Sequence, residues 1–398
     1  MAAITFLVVS ALLVGSLIVI REVRRKHLGI WLGTYLAQRW SPADAVNKST
    51  QEGPIHILFC MVDHFEPISA GSTREQQCER MRQWLERYPI LARKHLDSDG
   101  RPVQHTWFYP GEDYDPEYLD DLAQLCRQGI GEIELHFHHG HDTTESLRAK
   151  FLKAIAQFEK HGALITQESP PRHPYGFIHG NLALANSRYD PEFCGVNDEI
   201  RILKETGCYA DFSLPTAPGI SQAEKVNTIY YATSDDRYPK SHNGGVDVEV
   251  GGKPAGDLMI ISGPLGFNWS SRKWGIAPRI ENGEVHSLNP PTLSRVQNWV
   301  RQNIHVNGRP EWVVVKVSCH GAEDRNRDVM LGDSADRMYL HLEKECRDRP
   351  GRRLHYVTAR ELYNIIKAAE AGKSGDPVTF RDFIIPPYQT HSPRGSKL

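Results

Sequence analysis

The sequence predicts an α/β chain: a parallel (β/α) barrel of about seven units behind an N-terminal membrane helix. Three observations predict it. Apolar runs of the buried-strand type alternate with helix patterns along most of the 398 residues. The uncharged stretch Met1–Ile20 is followed directly by Arg21, Arg24, Arg25 and Lys26. Histidines and carboxylates recur just after the apolar runs, where a parallel barrel gathers its chemistry.

Met1–Ile20 suits a membrane span of ~20 residues. It has neither the basic leader nor the small-residue cleavage site of a signal peptide, so residues 1–22 read as an uncleaved single-pass anchor. The basic block at its end favours a cytoplasmic location for the barrel. Residues 23–53 read as a juxtamembrane segment and linker. Within it Gly29–Trp40 is aromatic and amphipathic, and suits either the membrane surface or packing as a first helix on the domain. The barrel is expected over 54–372. Residues 373–398 are left as an extension, loose from Thr379 onward.

Within the barrel, Ile55–Val62 is the first strand and 73–91 a helix of mixed charge. Val103–Tyr109 is the second strand, followed by a helix with Asp115 as cap and Pro116 at its first position. Glu132–His138 is the third strand. Asp142 and Glu145 open the next helix in the manner of a capping box. Tyr175–His179, Tyr209–Leu214 and Leu258–Ser262 are further strands, with an irregular insertion before the last. Trp312–Cys319 and Leu354–Val357 follow, the latter leading into a helix opened by Thr358 and Glu361.

A formal net charge of -2 gives no reason to expect nucleic acid as a partner. The seven cysteines form no CxxC pair, and Cys60 and Cys319 sit inside apolar runs, which argues against a disulfide framework and suits a reducing compartment. Nothing indicates the oligomeric state.

The histidines carry the functional signal. His136, His138, His139 and His141 crowd the end of the third strand. Alternation puts His136 and His138 on one face, and the loop can bring His139 or His141 round to them. Neutral imidazole is the commonest metal ligand, and side-by-side imidazoles repel unless a cation uses them. The other strand ends supply Asp63, His64 and Glu66, then His179 and Asn181, Asp211, and His320. A divalent metal, zinc by its imidazole and carboxylate ligands, is the expected cofactor.

In their order these residues resemble the polysaccharide deacetylases, the NodB-homology group of the carbohydrate esterase family 4 type. That superfamily, related to glycoside hydrolases, has a distorted (β/α)7 barrel. The resemblance covers about residues 54–366. It implies that Asp63 is the general base, His320 the catalytic acid, and His64, His136 and one of His138, His139 or His141 the metal ligands. His139, His179, Asn181 and Asp211 are expected to steady those ligands or the substrate. Departures are plain: the second aspartate is His64, Gly140 stands four residues after His136, and Tyr175–Asn181 lacks the family's arginine. The implied activity is removal of N- or O-acetyl groups from an amino-sugar polysaccharide or lipid-linked glycan. Trp269, Trp274, Tyr230 and Tyr231 offer sugar-stacking faces. Two alternatives stand beside it: a glycoside hydrolase using two of Glu66, Glu134 and Asp211, or a metal-binding membrane protein with a decayed site.

Overall fold

The computed structural model describes residues 2–40, 53–69, 71–164, 167–168 and 171–389. Residues 41–52 of the expected linker and 390–398 of the expected tail lie outside the described residues. The chain begins with helices α1 (Ala2–Arg25) and α2 (Leu28–Arg39). Alternating units follow: β1 (Ile55–His64), α3 (Arg74–Lys94), β2 (His105–Pro110), α4 (Pro116–Arg127), β3 (Gly131–Phe137) and α5 (Thr144–Phe158). A small ribbon, β4 (Gln167–Glu168) with β5 (Pro171–Arg172), precedes β6 (Tyr175–His179), α6 (Glu199–Thr206) and β7 (Cys208–Asp211). The insertion holds β8 (Ile229–Ala232), β9 (Val246–Asp247), β10 (Leu258–Ile261) and the hairpin β11 (Gly266–Lys273) with β12 (Ala277–Glu281). Last come β13 (Glu284–Val285), α7 (Leu293–Arg301), β14 (Trp312–Cys319), α8 (Asp324–Met330), α9 (Asp333–Arg347), β15 (Arg352–Tyr356) and α10 (Ala359–Glu370).

Local chemistry sets the helix starts. Asp115 accepts from the N–H groups of Glu117 and Tyr118 ahead of Pro116, and Thr358 with Glu361 closes a reciprocal capping box on α10. The cap of α5 is Thr143 paired with Ser146, not Asp142. The Asp142 carboxylate is taken instead by His139 and Lys150.

Eleven strands form one sheet in the order β13-β14-β1-β2-β3-β6-β7-β10-β8-β9, with β15 on the first half of β1. The ladders from β13 to β10 are parallel, whereas β8 and β9 are antiparallel. This corrects the expected distorted (β/α)7 barrel. The place beside β10 where a further parallel strand would continue toward β14 is taken by antiparallel β8, and among the described residues no ladder joins the two ends. The end of β7 nonetheless approaches β14, where the buried Lys316 donates to the Phe212 and Leu214 carbonyls.

The membrane anchor is also corrected. Among the described residues no helix is long and apolar enough to cross a membrane. The first helix does not stop at Ile20 but runs on through Arg21, Glu22, Arg24 and Arg25, with Arg25 paired to Glu22. The expected orientation falls with the anchor. Helix α2 buries Trp31 and Tyr35 against Ala217, Val226, Leu265 and Phe267 of the domain. Nor is Thr379–Tyr388 loose: Asn364 holds the Arg381 and Ile385 carbonyls, and the Tyr388 hydroxyl reaches Glu134.

Candidate metal centre

Strand alternation sorts the candidate residues between two faces. On β1, Ile57, Phe59 and Met61 enter the core shared with α3, α4 and α5, while Leu58, Cys60 and Val62 enter the core shared with α10. Asp63 continues the first series and His64 the second. On β3, Ile133, Leu135 and Phe137 belong to the first core, which leaves His136 on the same side as His64.

There, at the C-terminal ends of β1 and β3, four imidazoles converge on one carboxylate. His136 Nε2 lies 3.0 Å and His138 Nε2 3.6 Å from Glu66 Oε1. His64 packs edge-on to His136 with centroids 4.7 Å apart and stacks on His320 at 4.5 Å. One donor atom each from Glu66, His136 and His138 fits within 4.8 Å, as does one each from His64, Glu66 and His320.

Second partners orient these rings. His136 Nδ1 meets the Ile178 carbonyl at 3.1 Å, which leaves Nε2 for a metal. Glu112 holds His138 at both Nδ1, 2.7 Å, and its backbone N–H, 2.8 Å. Glu284 stands 3.8 Å from His320 Nδ1.

The donor set fits a divalent cation. Burial, with His320, His136 and His138 close by, holds His64 well below the usual imidazole range, so its ring is neutral. Its Nδ1 is buried without a hydrogen-bond partner. Burial alone would raise the Glu66 carboxyl, but the His136 hydrogen bond and the surrounding imidazoles bring it down to about 2. Burial works against a charge on His138 as well, yet Glu112 and Glu66 raise it overall. A nitrogen-rich pocket around one carboxylate suits zinc-like ions. The site is open on one side, where a cavity of about 210 Å³ is lined by His320, Glu284, His286, Glu323, Arg325 and Asn326.

Several expected residues are elsewhere. Asp63 is buried on the other face, where it accepts from Gly321 N–H at 2.6 Å and His105 Nε2 at 2.9 Å. His141 is exposed on the following loop with φ 53°, its N–H given to the Pro191 carbonyl. His139 and His179 pack together with Glu199, away from Glu66. Asn181 ties the His139 and Phe193 carbonyls, and Asp211 is buried on Ser213. Glu134 is sealed between the Tyr209 and Tyr388 hydroxyls and Gly176 N–H. Tyr230 and Tyr231 are core residues, whereas Trp269 and Trp274 are exposed on the β11–β12 hairpin.

Glu112 and Glu284 were not singled out in the sequence. Glu112 follows the end of β2, so the strand-end rule reaches it. Glu284 sits on a two-residue strand that carries no pattern. A larger cavity of about 370 Å³ opens at the opposite end of the sheet, where Arg101, Arg360 and Arg381 are paired with Glu132, Glu361 and Asp382.

No family model and no curated protein matches the sequence. Among solved structures, the chain is similar to a GH57 branching enzyme from the hyperthermophilic archaeon Thermococcus kodakaraensis, in complex with glucose. The identity is 10% over 73% of this chain and 68% of that one, with a TM-score of 0.35. A likeness this distant does not bear on the chemistry.

Proposed function

We propose that the chain is a metal-dependent hydrolase that removes acetyl groups from an amino-sugar glycan. The observation that carries this reading is the convergence of His64, His136, His138 and Glu66 at the strand ends, with His320 facing them beside an open cavity. The order of these residues along the chain, which resembles the polysaccharide deacetylases, supports the reaction and the sugar. His64, His136 and His138 would hold the ion. A divalent cation held by these residues would supply Lewis acidity, polarising a carbonyl and easing deprotonation of a water.

The remaining steps belong to the chain's own residues. Glu66 is the carboxylate that faces this space, and it accepts the proton of the attacking water. His320, with the Glu284 carboxylate 3.8 Å from its Nδ1, protonates the departing amine or alcohol. The polar cavity beside His320 is of a size for a single sugar ring, with Glu323, Arg325 and Asn326 placed for its hydroxyls. Of the three carboxylates nominated for a glycosidase, Glu134 and Asp211 are buried away from Glu66, so no flanking pair of them forms.

Metal analysis and acetate release from an acetylated chito-oligosaccharide test the proposal. His136→Ala should lose both the ion and turnover. Glu66→Gln should keep the ion and lose ~10²–10⁴-fold in rate. Unchanged metal content in His136→Ala and His138→Ala, or chain shortening without acetate release, would overturn it. An ion bound with no turnover on any acetylated glycan would indicate the decayed-site alternative.

A further inference from the structure

A second set of ligand-type side chains lies on the other face of the sheet. His139, His179, Cys194 and Glu199 are all buried, and one donor atom from each lies within 4.8 Å of the others. His139 Nε2 is 3.0 Å and His179 Nε2 3.7 Å from Glu199 Oε1, and Cys194 Sγ is 3.5 Å from Glu199 Oε2. Donors bound at ~2.0–2.3 Å in a tetrahedron stand roughly 3.3–3.8 Å apart. The two spacings to Glu199 Oε1 already match to within a few tenths of an ångström, and Cys194 Sγ stands within reach of the same carboxylate.

We propose that His139, His179, Cys194 and Glu199 bind a zinc-like ion as a closed structural site, separate from the centre around Glu66. His179 supplies the independent sign of a ligand: its side chain is buried and Nε2, aimed into the cluster, has no hydrogen-bond partner. The supporting shell is in place. His139 Nδ1 is 3.1 Å from Asp142, which Lys150 and Ser146 hold in turn, the carboxylate–histidine arrangement that fixes a metal-binding ring. The second oxygen of Glu199 accepts the Ala185 N–H at 2.7 Å. A dication with one thiolate, one carboxylate and two neutral imidazoles is uncharged overall, which keeps its desolvation cost low. Binding at His179 Nε2 moves that ring's proton to Nδ1 and gives up one long contact, 3.2 Å from Asn181 N–H.

The ion has a structural task to perform. Between β6 and α6 the chain forms only short 3-10 turns, and Leu182, Ala185, Asn186 and Tyr189 all take positive φ. His179 precedes this segment, Cys194 lies near its end, and Glu199 follows it. One ion joining them to His139 pins the segment to the end of β3. Gly180, next to His179, lies against the His138 ring, where a methyl group would collide. The buried ion therefore sets the floor of the centre around Glu66.

Cobalt exchanged into the full chain tests this, because that centre contains no cysteine. The wild type should show sulfur-to-cobalt charge-transfer absorption in the near ultraviolet. Cys194→Ser should lose that absorption together with one ion per chain, while Cys78→Ser, at an exposed thiol, and His136→Ala should keep it. If Cys194→Ser does not fold, cobalt titration of chelator-stripped wild type beside Cys319→Ser gives the same reading, since Cys319 stands with Asp63 and His105 and its loss should leave the band in place. No charge-transfer band in the wild type, or its survival in Cys194→Ser, would show instead a metal-free ion-pair cluster and overturn the proposal.

Discussion

Asp63→Asn separates a catalytic aspartate from a structural one. The resemblance implies Asp63 as the general base, but its two oxygens are committed to Gly321 N–H and His105 Nε2 in a buried setting. Asparagine keeps one acceptor oxygen and turns an NH2 group toward the other donor. One charge-assisted hydrogen bond, worth ~1.5–3 kcal/mol, is lost and one buried donor is left unpaired at ~1–3 kcal/mol. The expected loss of stability is therefore ~2.5–6 kcal/mol, read from urea unfolding monitored by fluorescence. Since Asp63 does not face Glu66 or His64, kcat of the folded variant should fall less than ~10-fold, well short of the ~10²–10⁴ that removal of a base costs. The reasoning is refuted if stability is unchanged while kcat drops by that larger factor.

Three further outcomes are expected. Arg295→Met should destabilise the fold by ~3–5 kcal/mol, because it leaves Glu281 buried without the bidentate partner that also fastens Glu284 beside His320; a loss under ~1 kcal/mol in denaturant unfolding would contradict this. Burial pushes the Asp211 carboxyl up to about 7 from an ordinary 3.8, offset in part by Ser213. The fold thus retains a proton the unfolded chain releases, so stability should decline as pH rises between those values, at no more than ~1.4 kcal/mol per pH unit. Asp211→Asn should flatten that decline, and an unaltered slope across a series of unfolding curves would dismiss it. Gly180→Ala should push the His138 ring off its position and weaken metal retention by ~10-fold or more, the range seen when supporting groups of a metal ligand are disturbed; chelator competition measures it.

Much of the site was legible in the chain before any fold was known. Period-two alternation put His136 and His138 on one face, and strand ends named His64, Glu66 and His320, because a parallel sheet delivers the residue after each apolar run to one edge. Cap chemistry likewise located the starts of α4 and α10, since it depends on residues within one turn. What the sequence could not decide were matters of long-range pairing. Asp63 and His64 are neighbours, yet one is shut in by Gly321 and His105 while the other meets His320, and both partners arrive from elsewhere in the chain. Asp142 looked like a helix cap until His139 and Lys150 claimed its oxygens. The distorted (β/α)7 barrel failed for the same reason: hydropathy counts strands, but only packing determines which edge the antiparallel β8 occupies. The apolar N-terminal run has the composition of a membrane span, whereas the folded chain continues it as one helix into Arg25 and docks the next through Trp31 and Tyr35. Local patterns therefore named the side chains and their faces; tertiary contacts determined which of them meet.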